Sequence, residues 1–130
     1  MIELIYGAKG SGKTQTIIEK ANKAVETAHG NVVFITPVDK YSLDIKNAIR
    51  FVVTGEHDIK KGCALEAFIK GMIAGNSDIQ EFYIDGIARI GDIDVVPFIH
   101  TLDALSTKYN VKFTVTLSMA QVPDELKRYL

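Results

Sequence analysis

The sequence predicts an α/β protein, a three-layer sandwich around a mainly parallel sheet of about five strands, from three observations. Short apolar runs alternate with stretches of helical periodicity along the chain. The run Val32-Val33-Phe34-Ile35 is apolar at every position, as in a strand buried on both faces. The first apolar run leads straight into a glycine-rich loop and then a helical stripe, a strand–loop–helix unit at the head of the chain.

Taken in order, Ile2, Leu4, Ile5 and Tyr6 form the first strand. Beyond the loop, Ile17, Ile18, Ala21, Ala24, Val25 and Ala28 recur on one helical stripe, and His29-Gly30 stops that helix. The second strand ends at Thr36-Pro37, because Pro37 has no N–H to give a ladder. Val38 to Lys46 is mixed polar, a loop with a short helical turn. Phe51-Val52-Val53 reads as a short third strand closed by Thr54-Gly55. Leu65, Phe68, Ile69, Met72 and Ile73 share one face of a helix over Ala64 to Ala74, which Gly75-Asn76 ends.

Phe82-Tyr83-Ile84 is the fourth strand, ending in Asp85, and Gly86 to Gly91 is expected as a mobile loop. A long helix starts near Asp94, with Pro97 tolerated in its first turn, and buries Val95, Phe98, Ile99, Leu102, Leu105 and Tyr109 before Asn110. The fifth strand, Val111 to Leu117, alternates apolar residues with Lys112, Thr114 and Thr116, which suggests one exposed face or an edge position. A short helix over Asp124 to Leu130 closes the chain. There is no internal repeat, low-complexity tract or linker, and 130 residues fit one domain, 1–130.

Composition excludes several classes. A net charge of −1 creates no global field for nucleic acid or acidic membranes. The single cysteine, Cys63, cannot form an internal disulfide and fits a reducing compartment. Glu3 interrupts any signal-like apolar run, and no stretch approaches the length of a membrane span, so a cytoplasmic protein without a membrane partner is expected. His29, His57 and His100 have neither metal-ligand spacing nor a paired nucleophile.

The chemistry-bearing stretch is Gly7-Ala8-Lys9-Gly10-Ser11-Gly12-Lys13-Thr14, a full match to Gly-x-x-x-x-Gly-Lys-Ser/Thr. A polyphosphate wrapped by backbone N–H groups needs a loop free of bulky inward side chains. Lys13 would place a compact positive charge at the β- and γ-phosphates, and the Thr14 hydroxyl would ligate Mg²⁺. The following helix would point its positive dipole end at the same anion. The second half of such a site is a metal-ordering carboxylate at the carboxyl end of another strand, and Asp85 occupies that position.

The residue after Asp85 is Gly86, so a water-activating carboxylate is not supplied there. Asp39 and Glu56, near carboxyl ends of other strands, are the candidate bases. Thr116 or Ser118 could sense a γ-phosphate, and Arg89 could reach phosphate or a neighbouring subunit. Asp39 and Glu56 have a plainer explanation as solvated loop residues, and Arg89 as a surface arginine.

These residues resemble the P-loop NTPase superfamily, and within it the RecA-like branch. That resemblance implies ATP and Mg²⁺ as ligands, Lys13 and Asp85 in the catalytic site, and a fifth strand lying centrally beside the first. The absence of an Asn-Lys-x-Asp segment favours ATP over GTP. A fainter similarity to thymidine kinases rests on the N-terminal loop, on Val33 to Ser42 and on Ile84-Asp85-Gly86. It lacks their glutamate after the aspartate and their C-terminal cysteine pairs.

Three functions are therefore open: a slow ATPase acting as a switch or assembly component, a small nucleoside-type kinase, and a non-enzymatic interaction module that keeps a nucleotide loop. Intact Lys13, Thr14 and Asp85 argue against the last. A homo-oligomer or a protein partner would cover phosphates that so small a core leaves exposed.

Overall fold

The computed structural model describes residues 1–130. The apolar runs become five strands: β1 (Ile2–Gly7), β2 (Asn31–Thr36), β3 (Arg50–Val53), β4 (Ile79–Ile84) and β5 (Lys112–Ser118). The periodic stretches become α1 (Lys13–Thr27), α2 (Gly62–Gly75) and α4 (Val95–Tyr109), with a short α3 (Ile87–Ile90) between β4 and α4. Three brief 3₁₀ segments, Asp39–Asp44, Thr54–His57 and Asp124–Tyr129, complete the chain.

All strands pair in parallel, in the order β1-β5-β4-β2-β3. Parallel pairing requires crossovers, and helices cover both faces of the sheet. Ile17, Ile18 and Ala21 of α1 pack with Val32, Phe34 and Tyr83 on one face. On the other face, α2, α4 and the C-terminal segment enclose a larger core that includes Phe82, Phe113, Leu65, Ile69, Ile99, Leu102 and Leu126. Phe82 and Phe113 face each other across the β4–β5 ladder and stack with centroids 5.1 Å apart.

The position of β5 corrects the reading of its alternation. It is no edge strand: it lies between β1 and β4, and Thr114 and Thr116 are buried. The β-branched threonines pack against the sheet face that α1 covers, so their polarity does not signal solvent. The edges are β1 and β3. The expected loop from Gly86 to Gly91 is also corrected. Gly86, at φ 76°, starts α3, and Ile87 and Ile90 drop into the larger core. Glycine suits that left-handed backbone, and a Cβ there would also meet the Arg89 guanidinium.

Asn110, with φ 54°, ends α4 as the sequence predicts. No helix is long and apolar enough to cross a membrane.

One ion-pair cluster ties three elements together. Glu3 on β1 accepts from Lys20 of α1 at 2.9 Å and Lys112 of β5 at 3.2 Å. Partial burial alone would raise the Glu3 carboxyl, but the hydrogen bonds from Lys20 and Lys112, with their charges, outweigh it and hold the group below its ordinary 4.5. A carboxylate lowered in the folded state stabilises the fold above its unfolded value and loses that contribution as pH falls through its folded value. Glu3→Gln should therefore cost about 0.5–1 kcal/mol at neutral pH, since the group is about a third exposed. The difference from the unmodified chain should shrink as pH drops below 4.5, read from urea midpoints across a pH series.

Candidate functional site

The candidate site stands at the carboxyl ends of β1, β5 and β4. Strand β1 ends at Gly7 and α1 begins at Lys13, so residues 8–12 arch over the end of the sheet. Gly12 is the residue that turns loop into helix, and it does so at φ 87°, where a side chain would be strained. No side chain caps α1. The N–H groups of Gly10, Gly12, Lys13 and Thr14 donate to no carbonyl of the chain. A helix start with uncapped donors and the positive end of its dipole attracts an anion. The Lys13 ammonium lies across the loop and donates to the Ala8 carbonyl at 2.9 Å. Ala8, Lys9, Gly10, Ser11 and Gly12 are exposed, and Lys13 and Thr14 are half-buried.

Below the loop sits one buried carboxylate. Asp85 follows β4 directly and is only 1% exposed. The Thr14 hydroxyl donates to its Oδ2 at 3.1 Å, and the Thr116 hydroxyl donates to its Oδ1 at 2.7 Å. Thr116 in turn accepts from the Gly86 N–H at 3.0 Å. The Asp85 N–H continues the sheet ladder to the Ile35 carbonyl at 2.9 Å. The Arg89 guanidinium, more than half exposed, approaches Oδ2 to 3.6 Å.

Register explains the convergence. Ile84 pairs with Val115 and with Ile35, so Asp85, Thr116 and Thr36 come level at the ends of adjacent strands. By strand alternation all three belong to the sheet face that α1 covers, where Thr14 also lies.

The donor set suits a hard cation. Thr14 and Asp85 bring oxygen ligands together, and the fully buried Thr36 hydroxyl at the same level has no partner in the chain. No three His, Cys, Asp or Glu side chains converge anywhere, so an ion here would complete its shell with phosphate oxygens and water. That pairing of an uncapped helix start with a hydroxyl–carboxylate pair can hold a phosphate anion and a divalent cation side by side.

The remaining sequence candidates are dispersed. Asp39 begins the 3₁₀ segment after β2, and Glu56 lies in the one after β3, at the sheet edge opposite β1. Both are exposed and neither hydrogen-bonds to the loop or to Asp85. Ser118 is exposed and pairs in register with Gly7. Thr116 is not free to sense a phosphate, because its hydroxyl is buried between Asp85 and Gly86. Its part in orienting Asp85 was missed from sequence, although its parity with Thr114 was the available signal.

Compared with known proteins, the chain matches no family model, and no curated protein is significantly similar to it.

Thr116 gives a direct check on this geometry. Thr116→Val keeps shape but removes one donor from a buried carboxylate and one acceptor from a backbone N–H. It should cost about 1–3 kcal/mol in urea unfolding with little change in slope, and Thr116→Ser should recover most of that loss. A valine variant as stable as the parent would mean that Asp85 is held by other means.

Proposed function

We propose that this protein binds ATP with Mg²⁺ in the manner of a P-loop nucleotide-binding domain and acts as a slow ATP hydrolase, serving as a switch or as part of an assembly. The observation that carries this reading is the hydrogen bond of 3.1 Å between Thr14, in the first turn of α1, and the buried Asp85 at the end of β4. It joins the uncapped helix start to a carboxylate, and a triphosphate with a divalent cation needs both. Thr14 and Asp85 would hold the ion, which supplies charge neutralisation between the phosphates.

The chain's own groups divide the remaining work. The N–H groups from Gly10 to Thr14 bind and orient the phosphates. Lys13 exchanges its contact with the Ala8 carbonyl for phosphate oxygen, which replaces a neutral acceptor by an anionic one. Thr116 keeps Asp85 oriented. Gly86 leaves the position after Asp85 without a base, which supports slow rather than fast hydrolysis. The loop's exposure supports a covering surface from a second copy or a partner, which would exclude water from the bound phosphates.

ATP with Mg²⁺ should raise the melting temperature by about 5 °C or more at a hundredfold excess over Kd, because a ligand selective for the native state stabilises by roughly 2.7 kcal/mol there. No shift at millimolar ATP would overturn the reading. Lys13→Ala should remove most of the shift. Asp85→Asn should remove the part that depends on Mg²⁺ and keep the metal-free part.

Arg89 competes with a cation for Asp85, since it is the one positive side chain within 4 Å of that carboxylate. Arg89→Ala should lower the Mg²⁺ concentration that gives half of the ATP-dependent thermal shift by about two- to fivefold, a modest change for a half-exposed partner. An unchanged half-point would mean that the guanidinium yields freely.

A further inference from the structure

An open recess of about 650 Å³ adjoins the glycine-rich loop, with Tyr6, Gln121, Val122, Asp124 and Lys127 among its lining residues. Its two sides are fixed to the loop. Tyr6 immediately precedes Gly7, and Met119, just ahead of the recess residues, bridges to Gly7. A second cavity, about 240 Å³, lies at the opposite ends of the strands, against Asn31, Arg50 and Ile79, which begin β2, β3 and β4.

Tyr6 is out of place as a core residue. It shares a strand face with the buried Ile2 and Leu4, yet 45% of it is exposed. The C-terminal segment that covers this face buries Val122 and Leu126 but leaves the Tyr6 ring open. The Tyr6 ring and the Gln121 amide are both exposed at this recess. The charges of the recess cancel, because Lys127 pairs with Asp124 at 2.8 Å. A neutral recess with an aromatic ring and an amide does not attract a second phosphate. It suits a flat, uncharged heteroaromatic group, which can stack on the ring and exchange hydrogen bonds along its edge with an amide that both donates and accepts.

We propose that this recess receives the base of the bound nucleotide, with Tyr6 as the stacking surface and Gln121 as the reader of the base edge. The proposal rests on the nucleotide reading above and extends it from the phosphate end of the ligand to its other end. The Gly7 junction makes the two ends continuous: an anion held by the loop has this neutral recess as its neighbour along β1. Every volume a base requires is present, since ligand sites commonly range from about 300 to 1,000 Å³.

The test compares ATP with inorganic tripolyphosphate, both with Mg²⁺, by calorimetric titration of the whole chain. The unmodified protein should bind ATP more tightly than tripolyphosphate. Tyr6→Ala should weaken ATP about tenfold and leave tripolyphosphate unchanged, as expected for loss of one base stack. Tyr6→Phe should restore ATP affinity, and Gln121→Ala should reduce the preference for ATP over GTP without changing tripolyphosphate. Thermal melts of the variants without ligand show that each is folded, and the exposure of Tyr6 and Gln121 makes this the expected result.

Equal affinity of the parent protein for ATP and tripolyphosphate would overturn the base site and leave the phosphate site standing. Equal weakening of both ligands by Tyr6→Ala would do the same, because it would place Tyr6 in support of the loop instead of the base. Binding of neither ligand would overturn the nucleotide reading and this inference together.

Discussion

Asp85 is a polar side chain buried between two strands and beneath a helix, and burial there requires hydrogen-bond partners. Thr116 answers one carboxylate oxygen, Thr14 the other, and Arg89 stands at the open side. Each partner comes from a different element. The Thr14 contact ties the start of α1 to the sheet, the Thr116 contact ties the end of β5 to β4, and Arg89 of α3 adds a positive charge at 3.6 Å. Removing the carboxylate would release all three elements from a common point. Keeping it leaves a polar centre whose remaining coordination can be met from above.

The insertion of β5 between β1 and β4 sets the geometry of that centre. Neighbouring strands stand about 4.8 Å apart, so Asp85 lies about 10 Å from the end of β1. The chain leaving Gly7 must arch over the end of β5 before Thr14 can reach the carboxylate. The intervening strand ends level with β1, where Ser118 pairs with Gly7, and runs past Val115, the last residue it pairs with β4. In that overhang Thr116 reaches across to Asp85. The two faces of the sheet contribute unequally. Most of the buried apolar surface belongs to the face under α2, α4 and the C-terminal segment, and α1 contributes only a small cluster. Stability is concentrated on one face, and the polar row of Thr14, Asp85, Thr116 and Thr36 lies on the other.

What was legible in the sequence follows from the range of each signal. Strands and helices whose identity depends on local periodicity, such as β2 with its unbroken apolar run and α4 with its stripe ending at Asn110, emerge where the pattern places them. The glycine-rich loop and Asp85 were legible as candidates because each depends on residue type at a fixed place beside a strand. Features that depend on which strands meet were not. The polarity of Lys112, Thr114 and Thr116 reads as solvent exposure until β1 and β4 are known to flank them. Lys112 then finds Glu3, and Thr116 finds Asp85. α3 was missed because two glycines mark a mobile loop by composition, whereas Ile87 and Ile90 anchor it by burial. The exposure of Tyr6 was hidden for the same reason. Its strand parity assigns it to the core, and only the tertiary course of residues 119–130 leaves it open.

The placement of β1 at the sheet edge has a consequence for how the proposed ligand would lie. There, β1 has a neighbouring strand on one side only. At the edge, the strand can offer its last ring to a base while the loop it feeds turns inward over β5 towards Asp85. The ligand's neutral end then rests at the margin of the sheet and its charged end over the interior, where backbone donors and one carboxylate are concentrated. On this arrangement, binding is distributed over β1, α1, β4 and the C-terminal segment, but no element of the chain closes over the exposed loop. Affinity can be high without the site excluding water. On the proposed reading, a protein of this design would hold its ligand as a signal or a component until another surface completes the site, which fits the absence of a base beside Asp85 better than rapid turnover by the isolated chain does.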